Sequence, residues 1–396
     1  MKKLSIITPT HNPKYLPELE KSIKTNSFQD WEWIVLLNNG ANYKSSDKRV
    51  KVTGSLQKTT NVGALKKEAC SHATGDVIVE VDHDDMITPD CLEKVNEAFQ
   101  DKKVGFVYSD NAKLSDTFIP YDPRWGWTWR YFQWKGKKLI AMNSLPLTPG
   151  RIGHIWYAPD HVRAWRKDVY KMVGGHDENL SVCDDLDLMH RMYLVTEFKH
   201  IPEVLYIYRI DGNNTWLERN KAIQDKSREL FQRDIYQLAH QFSDKNGLMK
   251  IDLCGAFNKP EGYVSIDLQD ADITANINNG IPLPDNSCGV VRAYDALEHL
   301  KNQQLTMKEI HRVLVPGGML LSMTPSTDGR GAWQDPTHVS FWNENSFWYW
   351  TRPEQMQFLR NKNIRFFESS LRTFFPGEFH RQNNIPYVEA FLEKIP

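Results

Sequence analysis

The chain has 396 residues, which at usual domain sizes suggests two domains or three. Hydrophobic residues make up 40% and charged residues 25%, a balance that supports packed cores and excludes a disordered, collagen-like or small disulfide-stapled chain. Its 49 basic and 50 acidic residues leave a net charge of −1, without the basic excess of a protein that grips nucleic acid by its phosphates. A nucleic-acid acceptor held by a local patch stays open.

The elements alternate between strand and helix. A first apolar strand, Leu4 to Thr8, ends in Pro-Thr-His-Asn-Pro, and a helical stretch runs from Leu16 to about Lys24. A second strand, Trp33 to Leu37, ends in Asn38-Asn39-Gly40. A third, Asp76 to Val81, runs into Asp82-His83-Asp84-Asp85. This alternation predicts a parallel, doubly wound sheet, whose ligands bind beyond the carboxyl ends of the strands. After a charged helical stretch, Trp216 to Asp244, the same wiring starts again. Strands are expected at Met249–Leu253, Gly262–Leu268, Val290–Ala293 and Met319–Met323, closed by Ile364–Phe374 and Asn384–Ile395. The turn Asp244-Lys245-Asn246-Gly247 reads as a hinge, which gives domains at 1–245 and 246–396.

Cys70, Cys91, Cys183, Cys254 and Cys288 are scattered and form no CxxC pair, the pattern of reduced thiols in a cytoplasmic protein. The apolar run after Lys2 and Lys3 is too short for a signal peptide, and none is long enough to span a membrane.

The acidic strings carry the chemistry. Three carboxylates within Asp82–Asp85 repel one another unless a hard cation such as Mg²⁺ or Mn²⁺ sits among them. The alternative is a solvated turn that caps the following helix. The preceding apolar strand favours the cation, because it sets the acids at a strand's carboxyl end. A second string, Asp184-Asp185-Leu186-Asp187, opens a helix whose Leu186, Met189, Met192 and Tyr193 recur at core spacing. Lys66 and Lys67, ahead of the acidic strand, either reach a phosphate or lie on a solvated helix face. Trp125, Trp127 and Trp129 alternate, and would share one face of a strand or lid or pack locally in the core. His154 and His161 fall on the acceptor side by chain order, unless each is a structural histidine.

Taken in order, these strings resemble the family-2 type of GT-A glycosyltransferases over about residues 1–240. Thr8-Pro9-Thr10-His11-Asn12 matches the family's opening motif, Asp82-His83-Asp84 its DxD, Gly174-Gly175-His176-Asp177-Glu178 its Gly-Gly-x-Asp-Glu, and Asp184-Asp185 its Glu-Asp. The resemblance implies a metal-dependent inverting transfer from a nucleotide-diphosphate sugar to a glycan or other hydroxyl acceptor. It places the donor among Pro9, Thr10, His11, Asn12, Asn39, Asp82 and His83, with Lys66 as a phosphate contact. Mn²⁺ or Mg²⁺ would sit on Asp82, Asp84 and Asp211. Asp185 would be the general base, with Asp184 beside it. Asn38-Asn39 stands where the family usually has Asp-Asp, and Asp211 where it often has His.

The second segment is similar to class I S-adenosylmethionine-dependent methyltransferases over about residues 249–396. The carriers are Ile251-Asp252-Leu253-Cys254-Gly255-Ala256, Asp267 at the next strand end, Leu297-Glu298-His299-Leu300 and Val315-Pro316-Gly317-Gly318. This implies a small Rossmann-like fold that binds S-adenosylmethionine through Gly255, Asp267, Asn276 and Glu298. Cys254-Gly255-Ala256 stands for the common Gly-x-Gly. The readings are a two-headed enzyme that also methylates its glycan or product, a glycosyltransferase with a docking module, or a carbohydrate-binding protein without turnover.

Overall fold

A computed structural model describes residues 3–57, 59, 61–123, 126–155, 157–211 and 218–395. They form two compact units, Met1–Leu147 with Ile155–Gln232 and Thr148–His154 with Arg233–Pro396.

The first unit holds strands β1 (Leu4–Thr10), β2 (Trp31–Leu37), β3 (Val50–Gly54), β4 (Val77–Glu80), β5 (Met86–Ile87), β6 (Val104–Leu114), β7 (Trp129–Trp134), β8 (Lys137–Met142), β9 (Arg163–Arg166) and β10 (Glu197–Arg209). They lie in the order β3-β2-β1-β4-β9-β6-β10-β5, with the β7–β8 hairpin attached to β6. The first four are parallel, as the strand–helix alternation predicts. β9 departs from that expectation: it runs antiparallel between β4 and β6, so the sheet is mixed. An antiparallel neighbour needs no helical crossover, so its four residues carry no alternation signal. The helix Leu16–Lys24 begins over Pro17 and buries Leu16, Leu19 and Ile23 on one stripe against this sheet.

Trp127 is buried and stacks on Tyr157 at 5.4 Å, whereas Trp129 lies in β7, exposed beside Tyr131. The two therefore do not share one open face, and Trp125 lies outside the described residues.

The second unit holds β11 (Met249–Leu253), β12 (Val264–Asp267), β13 (Ile273–Thr274), β14 (Cys288–Tyr294), β15 (Leu314–Pro325), β16 (Phe366–Phe374) and β17 (Tyr387–Lys394), in the order β13-β12-β11-β14-β15-β17-β16. The first five are parallel, and β17 runs antiparallel between β15 and β16. The expected closing strands are therefore present.

The division between units differs from the expected hinge. It falls inside the helix Asn220–Lys245, at Gln232/Arg233. The helix's later residues pack within the second unit. Tyr236 meets Phe391 edge-on at 5.8 Å, and His240 Nε2 lies 2.8 Å from Tyr263 Oη. Residues 148–154 also belong to this unit. Thr148 Oγ1 donates to buried Glu393 Oε2 at 2.6 Å, and Arg151 Nε lies 3.4 Å from Glu393 Oε1. His154, placed on the acceptor side by chain order, instead meets Phe367 edge-on in this unit. No helix among the described residues is long and apolar enough to cross a membrane.

One glycine in the first unit admits no side chain. A Cβ at Gly63, in the helix Val62–Ser71, would lie 2.1 Å from the Asp177 carbonyl oxygen. Its N–H also donates to Leu180 O at 3.1 Å, so the helix and the Gly174–Glu178 loop touch backbone to backbone. Gly63→Ala should lower stability by about 1–3 kcal/mol through overpacking, measured by chemical denaturation, and should move the loop that leads to Asp184.

Candidate active site

The carboxyl ends of β1, β2 and β4 lie side by side, because the three strands are parallel neighbours. Past β1, Thr10 Oγ1 donates to Asn12 O at 2.9 Å and accepts from Asn12 N at 3.1 Å, which turns the Pro9–Asn12 string back on itself. His11 reaches His83 edge to face, 5.2 Å between ring centroids. Burial, then His83, holds the His11 imidazole below its ordinary pKa, while Asp84 opposes them. Past β2, Asn38 N donates to Thr10 O at 2.9 Å, and exposed Asn39 takes a left-handed φ of +52°.

The acids beyond β4 divide by direction. Asp85 is buried, and its Oδ1 accepts the Arg209 backbone N–H at 2.7 Å. Burial, then Asp84 and Asp82, pushes its carboxyl well above the usual range. Asp84 is raised by burial and then by Asp82. The Arg209 guanidinium donates to the Asp84 carbonyl at 2.7 Å and to Glu18 at 2.6 Å, so it clasps the loop's backbone rather than neutralising its carboxylates. The strain is burial first and mutual repulsion second, and a divalent cation is a chemistry that relieves both. The residues present therefore fit a hard metal ion.

Among the described residues, the group in this unit with converging donor atoms is Glu80, Asp82 and His161, all within 4.8 Å of one another. Asp82, Asp84 and Asp211 do not form such a group. Asp211 is turned aside, its Oδ2 accepting from Tyr15 Oη at 3.0 Å, although its charge still acts on Asp84. Sequence reasoning missed Glu80 as a functional residue. The available signal was a carboxylate inside the otherwise apolar run Val77–Val81.

Lys66 needs the plainest correction. It is neither a solvated lysine nor free to meet a phosphate, because it is buried and its Nζ lies 2.6 Å from Glu80 Oε1 and 3.2 Å from Asp184 Oδ2. Burial alone would lower its pKa, but Asp184, Glu80, Asp185 and Asp82 outweigh it and hold the ammonium well above the ordinary value.

Asp184 and Asp185 open the helix Asp184–Tyr193 and differ sharply. Asp184 is buried between Lys66 and His176, whose Nε2 lies 3.9 Å from its Oδ2. Burial, against the pull of Lys66, pushes its carboxyl up to about 6. Asp185 keeps 20% of its side chain exposed and pairs with the Arg163 guanidinium. Burial tends to raise its pKa, but Arg163 and then Lys66 hold it far below the usual range, so it is ionised. His161 borders both groups: its Nε2 is 3.6 Å from Asp82 Oδ2, and its charge acts on Asp185. The arrangement sets a partly exposed, ionised carboxylate within the electrostatic reach of the histidine that borders Asp82.

In the second unit, a Cβ at Gly255 would strike Asp252 Oδ2 at 2.3 Å, and Asp252 is itself held by Arg292 at 2.8 Å to each oxygen. Asp267 Oδ2 accepts from Ala256 N at 3.3 Å and Oδ1 from Leu268 N at 2.6 Å. This leaves each oxygen a second lone pair, which fits a ribose diol. Asn276 caps the short turn Ile277–Asn279, accepting from Asn278 N at 3.0 Å. Glu298 is buried and accepts from Thr324 Oγ1 at 2.5 Å. The Cys254 thiol is pushed up to about 12 by burial, then by Asp267 and Glu298.

Residues 5–158 match the glycosyl transferase family 2 model. Over these residues the first unit is similar to family-2 glycosyltransferases. Residues 248–322 match a methyltransferase domain model. Over 234 residues the chain is 23% identical to hyaluronan synthase of Pasteurella multocida, covering 57% of this chain and 22% of that protein. Over 227 residues it is 22% identical to chondroitin synthase of Escherichia coli, covering 54% and 30%. The chain thus spans less than a third of the length of these relatives. Among solved structures, TarS of S. aureus in complex with UDP is 17% identical with a TM-score of 0.41, covering 61% of this chain and 66% of that one.

Within the family-2 domain, Lys66→Met should cost about 3–5 kcal/mol in chemical denaturation, because it strands Glu80 and Asp184 buried without their cation. Glu80→Gln in the same background should recover part of the loss.

Proposed function

We propose that the family-2 domain is a metal-dependent inverting glycosyltransferase that moves a sugar from a nucleotide-diphosphate donor to a hydroxyl of a glycan. The observation that carries this reading is the pairing, across His161, of ionised, partly open Asp185 with the acids that follow β4. The relatives named for hyaluronan and chondroitin synthesis support a polysaccharide acceptor.

Asp82 and Asp84, with Glu80 and His161 adjoining, would hold Mn²⁺ or Mg²⁺ against the donor diphosphate. When bound, such an ion stabilises the charge that develops on the leaving diphosphate. Asp185 takes the proton of the acceptor hydroxyl as its oxygen bonds to the anomeric carbon and the bond to the diphosphate oxygen breaks. Direct displacement with one base inverts the anomeric centre. Arg163 positions Asp185. Asp184 and Lys66 hold the helix start beneath it. The Pro9–Asn12 turn, His83 and Asn39 border the nucleoside side, and Asn39 recognises it by hydrogen bonding rather than by charge.

Asp185→Asn should reduce kcat by roughly 10²–10⁴-fold, with little change in donor KM, in an assay of nucleoside diphosphate released with Mn²⁺ present. Undiminished turnover would remove Asp185 from the role of base. Asp82→Asn should instead weaken the dependence on Mn²⁺.

For the second unit, the reading is S-adenosylmethionine binding through the Gly255 loop and Asp267, with methylation of the glycan or product. A docking role is the second reading, favoured by the Asn276 side-chain oxygen being taken up as the cap of the Ile277–Asn279 turn. Calorimetric titration with S-adenosylmethionine decides: methyl transfer requires binding that Asp267→Asn weakens at least tenfold, whereas no binding leaves the docking role.

A further inference from the structure

Next to the 3-10 turn Leu297–His299, the loop Asp335–Ser340 folds back on Glu298. Val339 N and Ser340 N both donate to the Glu298 carbonyl, at 2.8 and 3.0 Å, and Ser340 Oγ donates to Leu297 O at 2.8 Å. This latch brings His338 to His299, 5.1 Å between ring centroids, over the Glu298 carboxylate. Ligand atoms of Glu298, His299 and His338 all lie within 4.8 Å of one another.

Three further features prepare these side chains. His299 Nδ1 lies 3.2 Å from Thr337 O, and His338 Nδ1 lies 3.0 Å from Ala332 O. A carbonyl only accepts, so each Nδ1 carries its ring's proton and each neutral ring presents a lone pair at Nε2. Backbone carbonyls that hold the far nitrogen in this way are the usual orienting partners of metal-bound imidazoles. Glu298 is 2% exposed, and its Oε1 has no hydrogen-bond partner. A buried carboxylate oxygen left in that state is costly unless something else satisfies it. Finally, Asp335 Oδ2 lies 3.8 Å from His338 Nε2, so a second carboxylate stands at the rim.

We propose that Glu298, His299 and His338 bind a divalent transition-metal ion of the zinc class in the methyltransferase-like unit. Two imidazoles and one carboxylate suit a borderline-soft ion, whereas Mg²⁺ and Ca²⁺ prefer oxygen throughout. Three protein ligands leave a position for water or an oxygen-bearing ligand. The site lies at the Leu297–His299 turn, where Glu298 Oε2 already accepts from Thr324 Oγ1 and Oε1 is left for the ion. Glu298 therefore serves as a metal ligand rather than as a direct contact to the cofactor.

The test uses the full chain, stripped with chelator and titrated with Zn²⁺ in excess Mg²⁺, which occupies oxygen-rich acidic sites. The wild type should take up one equivalent of Zn²⁺ and, loaded with Co²⁺, show a visible ligand-field band. His299→Ala and His338→Ala should each weaken Zn²⁺ binding at least ~10-fold and remove the band. Their metal-free melting curves and near-ultraviolet circular dichroism report whether each variant is folded. His299→Ala, at the more exposed position, serves if His338→Ala is not. The proposal is overturned if folded wild type takes up no Zn²⁺ under these conditions. It is equally overturned if a folded variant binds as tightly as wild type, or if uptake is lost in His161→Ala but retained in both of these variants.

Discussion

A single buried ammonium organises the family-2 domain. Lys66 stands between Glu80, at the end of a central strand, and Asp184, at the start of a helix more than a hundred residues later. Neither carboxylate can be buried cheaply on its own, and both are held where the ammonium meets them. The strand end fixes the acidic loop that follows it, and the helix start fixes Asp185. The placement of the acidic loop relative to Asp185 is therefore set by this charge pairing and is not left to the loops alone.

That pairing also explains what could be read from the residues and what could not. The acidic string after β4, the Gly-Gly turn and the Asp-Asp pair are local signals, and the fold ties β4 to the Asp-Asp pair through Lys66. Lys66 carried no local sign of its partners. A lysine on an amphipathic helix looks solvated until the fold supplies two acids from distant parts of the chain. Asp85 is a similar case. It is indistinguishable by type from Asp82 and Asp84, yet a hydrogen bond from the backbone of β10 turns it inward. The partners of Arg209 on that strand, Glu18 and the Asp84 carbonyl, could not be read from chain order. The antiparallel β9 was invisible because four residues running straight into the helix Lys167–Met172 have no period to detect, yet it carries Arg163, which pairs with Asp185.

In the second unit the parallel strands and their small-residue loop were legible, since apolar runs ending in Gly or Asp are strong local marks. The roles assigned to single residues were less so. Asn276 is occupied as a cap. Glu298 is a buried acid whose surroundings are set by a loop forty residues further on. Chain order alone could not show that Asp335–Ser340 returns to the Leu297–His299 turn.

The second unit is assembled from two stretches of chain, and the shorter one, residues 148–154, is threaded through the sequence of the first. Its Thr148 and Arg151 supply the partners of Glu393, on the last strand of the other stretch. Modular cutting of this polypeptide is therefore unsound. A piece ending near residue 245 would leave this arginine without its acid, and the complementary piece would keep a carboxylate sealed in its sheet with no counterion. Any lineage that parted the two units would have had to replace that pairing at the moment of separation, which ties their inheritance together.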